Sequence, residues 1–210
     1  MSLSNISLLY IADPLCSWCY GFAPEITKVL KAYPDLKLEL IMGGLRPNGS
    51  ETMDTLKDFL KGHWEHVQER SEMPFNFAIL ENASFVYDTE PPCRAVVAVR
   101  TIDRELSFAF FKKIQTAFYA DNLNTNEVST YLPIVKELGI DEVLFQALFF
   151  DNDTRKRTAA DFERSRTLGI NGFPSVILQN HEQLTLIARG YTKAEVLIAR
   201  ISQALNQAGS

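Results

Sequence analysis

The sequence predicts an α/β fold in which a long all-helical segment interrupts a single sheet. Three observations lead to this prediction: strand, helix and strand patterns follow one another over residues 6–42, helical periodicity dominates from about residue 52 to 168, and two strand patterns and a helix pattern complete the chain. The chain has 210 residues, of which 46% are hydrophobic, so it can bury a substantial core. We therefore expect a sheet-containing domain from residues 1–50 and 169–210, and a helical insertion domain from residues 51–168.

The first three elements are predicted to form a βαβ unit. Residues 6–12 (ISLLYIA) are a short, β-rich apolar run that stops at Asp13 and Pro14, which is typical of a buried strand. Residues 17–31 carry apolar side chains on one helical face, and residues 36–42 alternate leucine with charged residues before Gly43 and Gly44. Because a helix connects the two strands, we expect them to be parallel.

Two apolar stripes at helical spacing mark the middle of the chain. Pro91 and Pro92 suit the first turn of a helix in this segment, and Gly169 suits the residue just after its last helix. The first stripe consists of Leu56, Phe59, Leu60, His63, Trp64 and Val67, and the second of Leu106, Phe110, Ile114 and Phe118.

The end of the chain is predicted to form a hairpin and a helix. Residues 175–179 and 184–188 are β-rich runs on either side of the polar turn NHEQ, which indicates two antiparallel strands. Thr192 and Glu195 have the spacing of a capping box before a final helix over residues 193–207. The full order is therefore βαβ, a helical block, and ββα.

Charge and hydropathy exclude two classes of partner. The formal net charge of −5 leaves no general basic surface for a phosphate backbone, so we expect no nucleic-acid partner. The N-terminal run lacks Lys or Arg and is short, and no later apolar run approaches the length of a membrane span. We expect no membrane partner and a cytoplasmic protein that is a monomer or a homodimer.

The most informative motif is a pair of cysteines at the predicted boundary between the first strand and the first helix. Unpaired N–H groups and the helix dipole favour an anion there, and the thiolate is the reactive form of cysteine. We expect Cys16, at the helix cap, to be an exposed nucleophile with a lowered pKa. Cys19 lies one turn further on, where it is better shielded and well placed to attack a mixed disulfide at Cys16.

Two other interpretations of the pair remain open. A structural zinc site normally needs four ligands, and the sequence has no second CxxC or CxxH, so we expect no metal. His63 and His66 are three residues apart on one helix without further ligands, and His63 lies on an apolar stripe, which favours a core position. An inert buried pair is the second alternative, because free cysteine often behaves as a small hydrophobic residue.

The motifs together resemble the DsbA family of the thioredoxin superfamily. These motifs are a CxxC at the first helix of βαβ, a helical insertion, and Gly-Phe-Pro-Ser before the ββα end; DPLCSWCYGFAP is most similar to the FrnE and 2-hydroxychromene-2-carboxylate isomerase branch. The resemblance implies a thioredoxin fold, Cys16 as nucleophile, Cys19 as resolving cysteine, and a cis peptide bond before Pro174, which packs against the pair. It also implies that the backbone of Phe173 offers strand-like hydrogen bonds to a bound peptide.

The sequence departs from the family pattern at three positions around the expected cleft. Ser17 and Trp18 stand between the cysteines, where DsbA has a histidine and thioredoxin a proline, so the redox potential cannot be inherited. We expect Ser17 to donate to the thiolate and Trp18 to contact substrate, and the alternative for Trp18 is an exposed aromatic residue with no role. Phe173 is bulkier than the usual Thr, Val or Ile and is expected to narrow the cleft. The loop over residues 43–49 is either a plain turn or a cleft rim on which Arg46 attracts a carboxylate.

The resemblance implies a thiol–disulfide oxidoreductase of reductase or isomerase type. Its substrates would be protein or small-molecule disulfides and thiols, with no cofactor and with glutathione as an optional co-substrate. A glutathione-dependent isomerase or kappa-type transferase is an alternative, although those relatives carry a serine at the position that matches Cys16. A non-enzymatic binding protein whose partner surface is switched by the redox pair is a third hypothesis.

Cys93 is the remaining cysteine. The segment EPPCRAV places it in the first turn of a predicted helix, where the dipole is expected to lower its pKa. The resemblance implies that this helix lies over the cleft and that several relatives carry histidine here, so we expect Cys93 near Cys16, where it tunes the thiolate and limits what binds. The alternative is a buried packing residue.

Overall fold

The computed structural model describes residues 6–207, and over this range the chain forms a mixed four-stranded sheet and eight α-helices. Short 3₁₀ helices occupy Phe77–Glu81 and Val128–Thr130. The strands are β1 (Ile6–Ala12), β2 (Lys37–Met42), β3 (Ser175–Asn180) and β4 (Gln183–Arg189). The helices are α1 (Ser17–Ala32), α2 (Met53–Ser71), α3 (Glu90–Ile102), α4 (Ser107–Tyr119), α5 (Leu132–Glu137), α6 (Glu142–Phe150), α7 (Asn152–Thr167) and α8 (Ala194–Gln207).

The sheet has the strand order β2-β1-β3-β4. Strand β1 pairs with β2 in parallel and with β3 antiparallel, and β3 and β4 form an antiparallel hairpin. The βαβ unit and the hairpin are therefore confirmed. Helices α2 to α7 all lie between β2 and β3 in the chain, so the predicted α/β class with a large helical insertion is confirmed as well.

Strand β1 is buried on both faces, which explains its continuous apolar sequence. Leu8 and Tyr10 face the main hydrophobic core, while Leu9 and Ile11 face a smaller cluster on the other side of the sheet. The strand therefore ends in the interior of the molecule. The turn that follows it delivers the first cysteine to a covered position at the start of α1.

The main core extends across both parts of the chain. Phe22 of α1 and Leu40 of β2 belong to the same cluster as Val96, Phe110 and Tyr131 of the inserted helices. The insertion thus covers one face of the sheet and has no separate core there. The division into one domain of residues 1–50 and 169–210 and another of residues 51–168 stays a prediction.

A second core joins α2 and α4 to the segment around the cysteines. Trp64 is fully buried and packs with Phe118, Tyr119 and Tyr20. Two residues of the predicted α2 stripe lie elsewhere: the side chain of Phe59 is 66% exposed, and His63 is half-buried. The expected core position of His63 is therefore wrong, because this edge of α2 faces a cavity.

The sequence predicts a glycine terminus after α7 and a capping box before α8, and the two helix ends differ in outcome. Gly169 has φ +70° immediately after α7, as predicted for a helix terminus. The predicted capping box at Thr192 is wrong, because α8 begins only at Ala194 and the Thr192 hydroxyl contacts the carbonyl of Gly190. The N–H of Ala194, at the start of α8, donates instead to the carboxylate of Glu25 in α1, at 2.8 Å.

The sequence predicts no membrane partner, and a membrane-spanning helix would have to be both long and apolar. The longest helix, α2, has 19 residues and carries charged residues along its exposed side. Within residues 6–207, none of the helices combines the length and the apolar composition that crossing a bilayer requires. The cytoplasmic location stays a prediction.

Candidate active site at the start of the first helix

Cys16 is the N-cap residue of α1, with an extended backbone at φ −86° and ψ 113°. Its N–H donates to the carbonyl of Asp13, and its own carbonyl accepts from the N–H of Tyr20. Its Sγ donates to the carbonyl oxygen of Phe173 at 3.6 Å, and the Phe173-Pro174 peptide bond is cis. The fold thus brings together the CxxC segment and the proline segment, whose contacting residues are 157 positions apart.

The two cysteines of the pair differ in access. Cys16 is 6% exposed and Cys19 is fully buried. The expected order of exposure is confirmed, but the expectation of a well-exposed nucleophile is wrong. Cys16 lines a cavity of about 270 Å³, and the other residues of the cavity wall surround the thiol and limit its exposure.

The walls of this cavity bring together most of the predicted substrate-binding residues. Ser17, Trp18 and Phe173 line it, as does Arg46, so the loop over residues 43–49 is part of its rim. The guanidinium of Arg46 forms an ion pair with Glu51 and lies 5.9 Å from the ring centroid of Tyr87. The remaining wall is formed by Leu15, Leu45, Phe59, Leu60, His63, Trp64 and Tyr87.

Trp18 and Phe173 also line a second, open cavity of about 540 Å³. Its other walls are His66 and Arg70 of α2, together with Gly190 and Tyr191 after β4. Because the two cavities share the rings of Trp18 and Phe173, they are the two sides of one cleft. We call the pair of cavities the redox cleft.

His63 is a site residue that sequence reasoning placed in the core. Its ring centroid lies 6.0 Å from that of Trp18 and 5.9 Å from that of Phe59. Burial, and then the charge of His66, lower the pKa of His63 below its usual value. The spacing of two histidines and an aromatic residue along α2 was visible in the sequence, but it did not indicate that Trp18 of α1 packs against them.

Burial and the neighbouring Cys16 raise the pKa of Cys19 well above its usual value, against a hydrogen bond from the backbone of Asp13, which lowers it. Tyr10 of β1 is a second residue that the sequence did not single out. Burial, followed by the charges of Cys19 and Cys16, raises the pKa of its hydroxyl. Within residues 6–207 this buried hydroxyl makes no hydrogen bond of ordinary geometry. Cys19 is therefore held in an environment that favours the neutral thiol.

The turn before Cys16 is fixed from two sides. The buried carboxylate of Asp13 accepts from the N–H groups of Leu15 at 2.9 Å and Leu45 at 2.7 Å. Burial raises the pKa of this carboxyl, although these hydrogen bonds lower it. The carbonyl of Leu15 in turn accepts from the hydroxyls of Tyr87 and Tyr119. These contacts define the position of the backbone that leads into Cys16.

Cys93 lies in the first turn of α3, as predicted, with Pro91 and Pro92 before it. It is fully buried and donates to Asp13 Oδ2 at 3.5 Å. Burial, and then the charge of Asp13, raise its pKa well above the usual value, so the expected lowered pKa is wrong. Over residues 6–207, Cys93 lines neither side of the redox cleft. It contacts the site through Asp13, and its part in substrate binding stays a prediction.

The sequence predicts no metal site. Among residues 6–207, no group of three or more His, Cys, Asp or Glu side chains is arranged to hold a metal ion. His63 and His66 both contact Trp18, and the three cysteines are free thiols. The side chains at this site are therefore arranged around the cleft and its aromatic rings.

The sequence and the fold of this chain are similar to those of known proteins. A family model described as thioredoxin matches residues 9–198. A candidate protein disulfide isomerase from Nitrosomonas europaea is 36% identical, with a TM-score of 0.87 over 97% of this chain and 98% of that chain. No curated protein sequence matches the chain.

Two further solved structures are similar. The cytosolic disulfide reductase DsbM from Pseudomonas aeruginosa is 26% identical, with a TM-score of 0.82 over 96% of this chain and 99% of that chain, and has also been solved with GSH. A 2-hydroxychromene-2-carboxylate isomerase is 14% identical and shares the fold, with a TM-score of 0.69 over 96% and 97% of the two chains. The chain therefore belongs to the thioredoxin family.

Proposed function

We propose that this protein is a thiol–disulfide oxidoreductase that reduces disulfides through Cys16 and Cys19. One observation carries the proposal: Cys16 lies at the base of the redox cleft against the Phe173 carbonyl, and Cys19 is fully buried one turn behind it. A substrate sulfur that enters the cleft meets Cys16 and cannot reach Cys19. Such an arrangement suits an attacking and a resolving thiol.

The proposed reduction has two exchange steps. The Cys16 thiolate attacks one sulfur of the substrate disulfide, forming a mixed disulfide and releasing the first substrate thiolate, which takes a proton from solvent. Cys19 then attacks Cys16 Sγ, and its proton passes to the second substrate sulfur as that thiolate leaves. The Cys16-Cys19 disulfide forms, and the second substrate thiol is released. Two electrons pass from the protein to the substrate. The raised pKa of Cys19 keeps it protonated until the mixed disulfide is in place.

Glutathione is the proposed reductant that restores the dithiol. Two glutathione molecules would supply the electrons and leave as their disulfide, through a mixed disulfide at Cys16. The charge near the redox cleft supports this choice: Arg70 lines its open side, 5.9 Å from the ring centroid of Tyr191, and Lys193, which also pairs with Glu25, lies 5.6 Å from the same centroid. These cations complement the two carboxylates of glutathione. The DsbM structure with GSH supports the same ligand class.

The substrates are proposed to be protein or small-molecule disulfides in the cytoplasm. A reductase needs a compartment that maintains thiols, and DsbM is described as cytosolic. The aromatic walls formed by Trp18, Phe173 and Tyr191 offer an apolar contact surface beside the reacting sulfur. A peptide or a small disulfide with an apolar neighbour would fit these walls.

A trapping experiment tests the roles of the two cysteines. The reduced Cys19→Ala protein, mixed with oxidised glutathione or a disulfide peptide, is expected to accumulate one covalent adduct on Cys16, detected by intact mass and peptide mapping. Cys16→Ser is expected to lose both the adduct and glutathione-coupled disulfide reduction. Cys93→Ala is the matched control and is expected to retain both. Full turnover in Cys16→Ser would contradict the proposal.

The same variants distinguish the remaining hypotheses. Turnover of an isomerisation or conjugation substrate with glutathione that survives in Cys16→Ser would favour a glutathione-dependent isomerase or transferase. Reshuffling of a scrambled disulfide protein without net reduction would favour the isomerase named for the Nitrosomonas relative. Binding of a partner to only one redox form, without turnover, would favour a redox-gated binding protein. Net reduction of the substrate by glutathione is the result expected here.

A further inference from the structure

A groove separate from the redox cleft runs between α1 and α4. It encloses about 590 Å³ and is lined by α1 residues 20–31 and α4 residues 109–116, together with Met73. Within the described chain, it shares no lining residue with either side of the redox cleft. Its volume is in the range of sites for small molecules, about 300–1,000 Å³.

The rim of this groove is basic, although the chain has a net charge of −5. Lys28 pairs with Glu25 at 3.2 Å, and Lys113 pairs with Glu137 at 2.7 Å. Across residues 6–207, Lys31 and Lys112 have no ion-pair partner. Burial, and then the charges of Lys31 and Lys113, lower the pKa of Lys112, so the rim lysines repel one another. An anion between Lys31 and Lys112 would relieve this repulsion.

The wall of the groove contains a buried amide with no partner. Gln115 of α4 is 0% exposed, and within the described residues neither its Nε2 nor its Oε1 has a hydrogen-bond partner. Native structures rarely leave both atoms of a buried amide unpaired, so this side chain points to a ligand. The carbonyl of Tyr20 is a second polar group in α1. The residue four positions after it is Pro24, which has no N–H to donate to this carbonyl. Both residues line the groove.

The floor between these polar groups is apolar. Ala23, Pro24 and Ala109 contribute small side chains, and Met73 contributes a flexible one that adapts to a ligand surface. An occupant therefore needs an apolar body beside its polar groups. Lys28 and Lys113, the two rim lysines that have ion-pair partners, are paired with carboxylates. We assign the same kind of anion to Lys31 and Lys112.

We propose that this groove binds a small amphipathic carboxylate, with its apolar body on the floor, an amide at Gln115 and its carboxylate between Lys31 and Lys112. This site is independent of the redox reaction. Its lining residues, from α1, α4 and Met73, are not shared with the redox cleft, so it can be tested by binding alone.

N-Decanoylglycine is a suitable probe, because it combines an apolar chain, one amide and one carboxylate. We expect isothermal titration calorimetry to show one site per chain. N-Decanoylglycinamide has the same body without the charge and is expected to bind at least about tenfold more weakly. Equal affinity for the two probes, or no binding of N-decanoylglycine, would overturn the proposal.

Variants locate the site. Lys31→Gln with Lys112→Gln is expected to weaken N-decanoylglycine at least about tenfold, while Lys61→Gln with Lys136→Gln removes the same charge from exposed positions outside the groove and should leave affinity unchanged. Gln115→Met keeps the side-chain length and is expected to weaken both probes. Equal losses in the two double variants, or unchanged affinity in Gln115→Met, would overturn the assignment. Circular dichroism checks folding, and the two-probe comparison on the unaltered protein decides the matter if Gln115→Met unfolds.

Discussion

The three cysteines have the same side chain and very different environments. Cys16 opens into the redox cleft, while Cys19 and Cys93 are fully buried with raised pKa values. Iodoacetamide reacts with thiolates, so we expect alkylation of the reduced native protein at Cys16, with Cys19 and Cys93 modified only after unfolding. Peptide mapping by mass spectrometry at successive times measures the order.

The alkylation rate of Cys93 distinguishes a buried thiol from an accessible one. If Cys93 were alkylated as fast as Cys16, its thiol would be accessible in solution and its hydrogen bond to Asp13 would not persist there. Protein unfolded in urea is the control, because all three thiols then have similar access. If Cys93 is labelled slowly, its role is to pack in the core and to hold Asp13 through their hydrogen bond.

Gly43 is required by the ring of Phe173. A Cβ built at Gly43 would lie 2.3 Å from the Phe173 Cε1 atom, far closer than atoms pack. We expect Gly43→Ala to displace this ring, destabilise the protein by about 1–3 kcal/mol and alter the reactivity of Cys16, whose Sγ contacts the Phe173 carbonyl. Urea unfolding and the alkylation rate of Cys16 measure the two effects.

Gly62→Ala is the matched control for Gly43→Ala. Gly62 lies in α2 with nothing within 4 Å of a built Cβ, so alanine there should raise stability by up to about 1 kcal/mol through helix propensity. Phe173→Leu added to Gly43→Ala should recover part of the lost stability. If Gly43→Ala alone left both stability and Cys16 reactivity unchanged, the close packing would not determine the cleft.

At the scale of the elements, a buried carboxylate joins the first and last helices. Glu25 of α1 accepts from the N–H of Ala194 at 2.8 Å and pairs with Lys28 and Lys193. Burial opposes its charge, but the hydrogen bonds from Ala194 and Lys28 outweigh burial and lower its pKa below 4.5. Glu25→Gln is expected to reduce the free energy of unfolding at pH 7 by about 1–3 kcal/mol.

The pH dependence of this loss has a definite sign. A pKa that is lower in the folded than in the unfolded state stabilises the protein above the unfolded value, near 4.5, and this stabilisation is lost as pH falls through the folded pKa. The stability difference between the parent and Glu25→Gln should therefore shrink on acidification. Glu163→Gln, which breaks an exposed pair with Arg166, should change stability by less than about 1 kcal/mol. A difference that grew toward acid pH would contradict the assignment.

The elements that sequence patterns predicted correctly are those with local causes. Strand β1 ends at Ala12, before Asp13, and α7 ends at Thr167, shortly before Gly169, because the residues that follow prevent continuation. The errors have distant causes. Glu25, 169 residues from Ala194 in sequence, accepts from the N–H of Ala194 at the helix start where Thr192 was expected to act. His63 faces the cleft because Trp18 packs against α2, and the CxxC motif indicated the site without indicating the walls around it.

At the scale of the whole molecule, the shared core predicts one cooperative unfolding transition. Phe22 of α1 and Phe110 of α4 belong to one cluster, so neither the sheet nor the inserted helices can lose structure alone without exposing the same apolar surface. The two tryptophans report on the two parts, because Trp18 lies in α1 and Trp64 in α2.

Single-tryptophan proteins measure this cooperativity. In Trp64→Phe the fluorescence of Trp18 follows the sheet-containing part, and in Trp18→Phe the fluorescence of Trp64 follows the insertion. We expect the urea midpoint of fluorescence to coincide with that of far-ultraviolet circular dichroism within each variant, even though Trp64→Phe lowers both. Separate midpoints within one variant would support two domains that unfold independently.

The difference in unfolding free energy between the oxidised and the reduced protein is linked to the reduction potential of the cysteine pair. It therefore tests the direction of the reaction. In the reduced form Cys19 is a buried thiol whose pKa is raised, so folding does not stabilise its anion. The unfolded thiol ionises near pH 9.0 while the folded one stays protonated, so above that pH Cys19 favours unfolding of the reduced form. The Cys16-Cys19 disulfide removes this ionisable group, so we expect the oxidised protein to have the larger free energy of unfolding at alkaline pH. For a two-electron couple, each 1.4 kcal/mol of this difference corresponds to about 30 mV of reduction potential, and the sign expected is that of a reductant. Urea unfolding of the oxidised and reduced forms of Cys93→Ala measures the difference without a competing thiol. A more stable reduced form would make the protein an oxidant and reverse the proposed direction, while leaving the mixed disulfide at Cys16 intact.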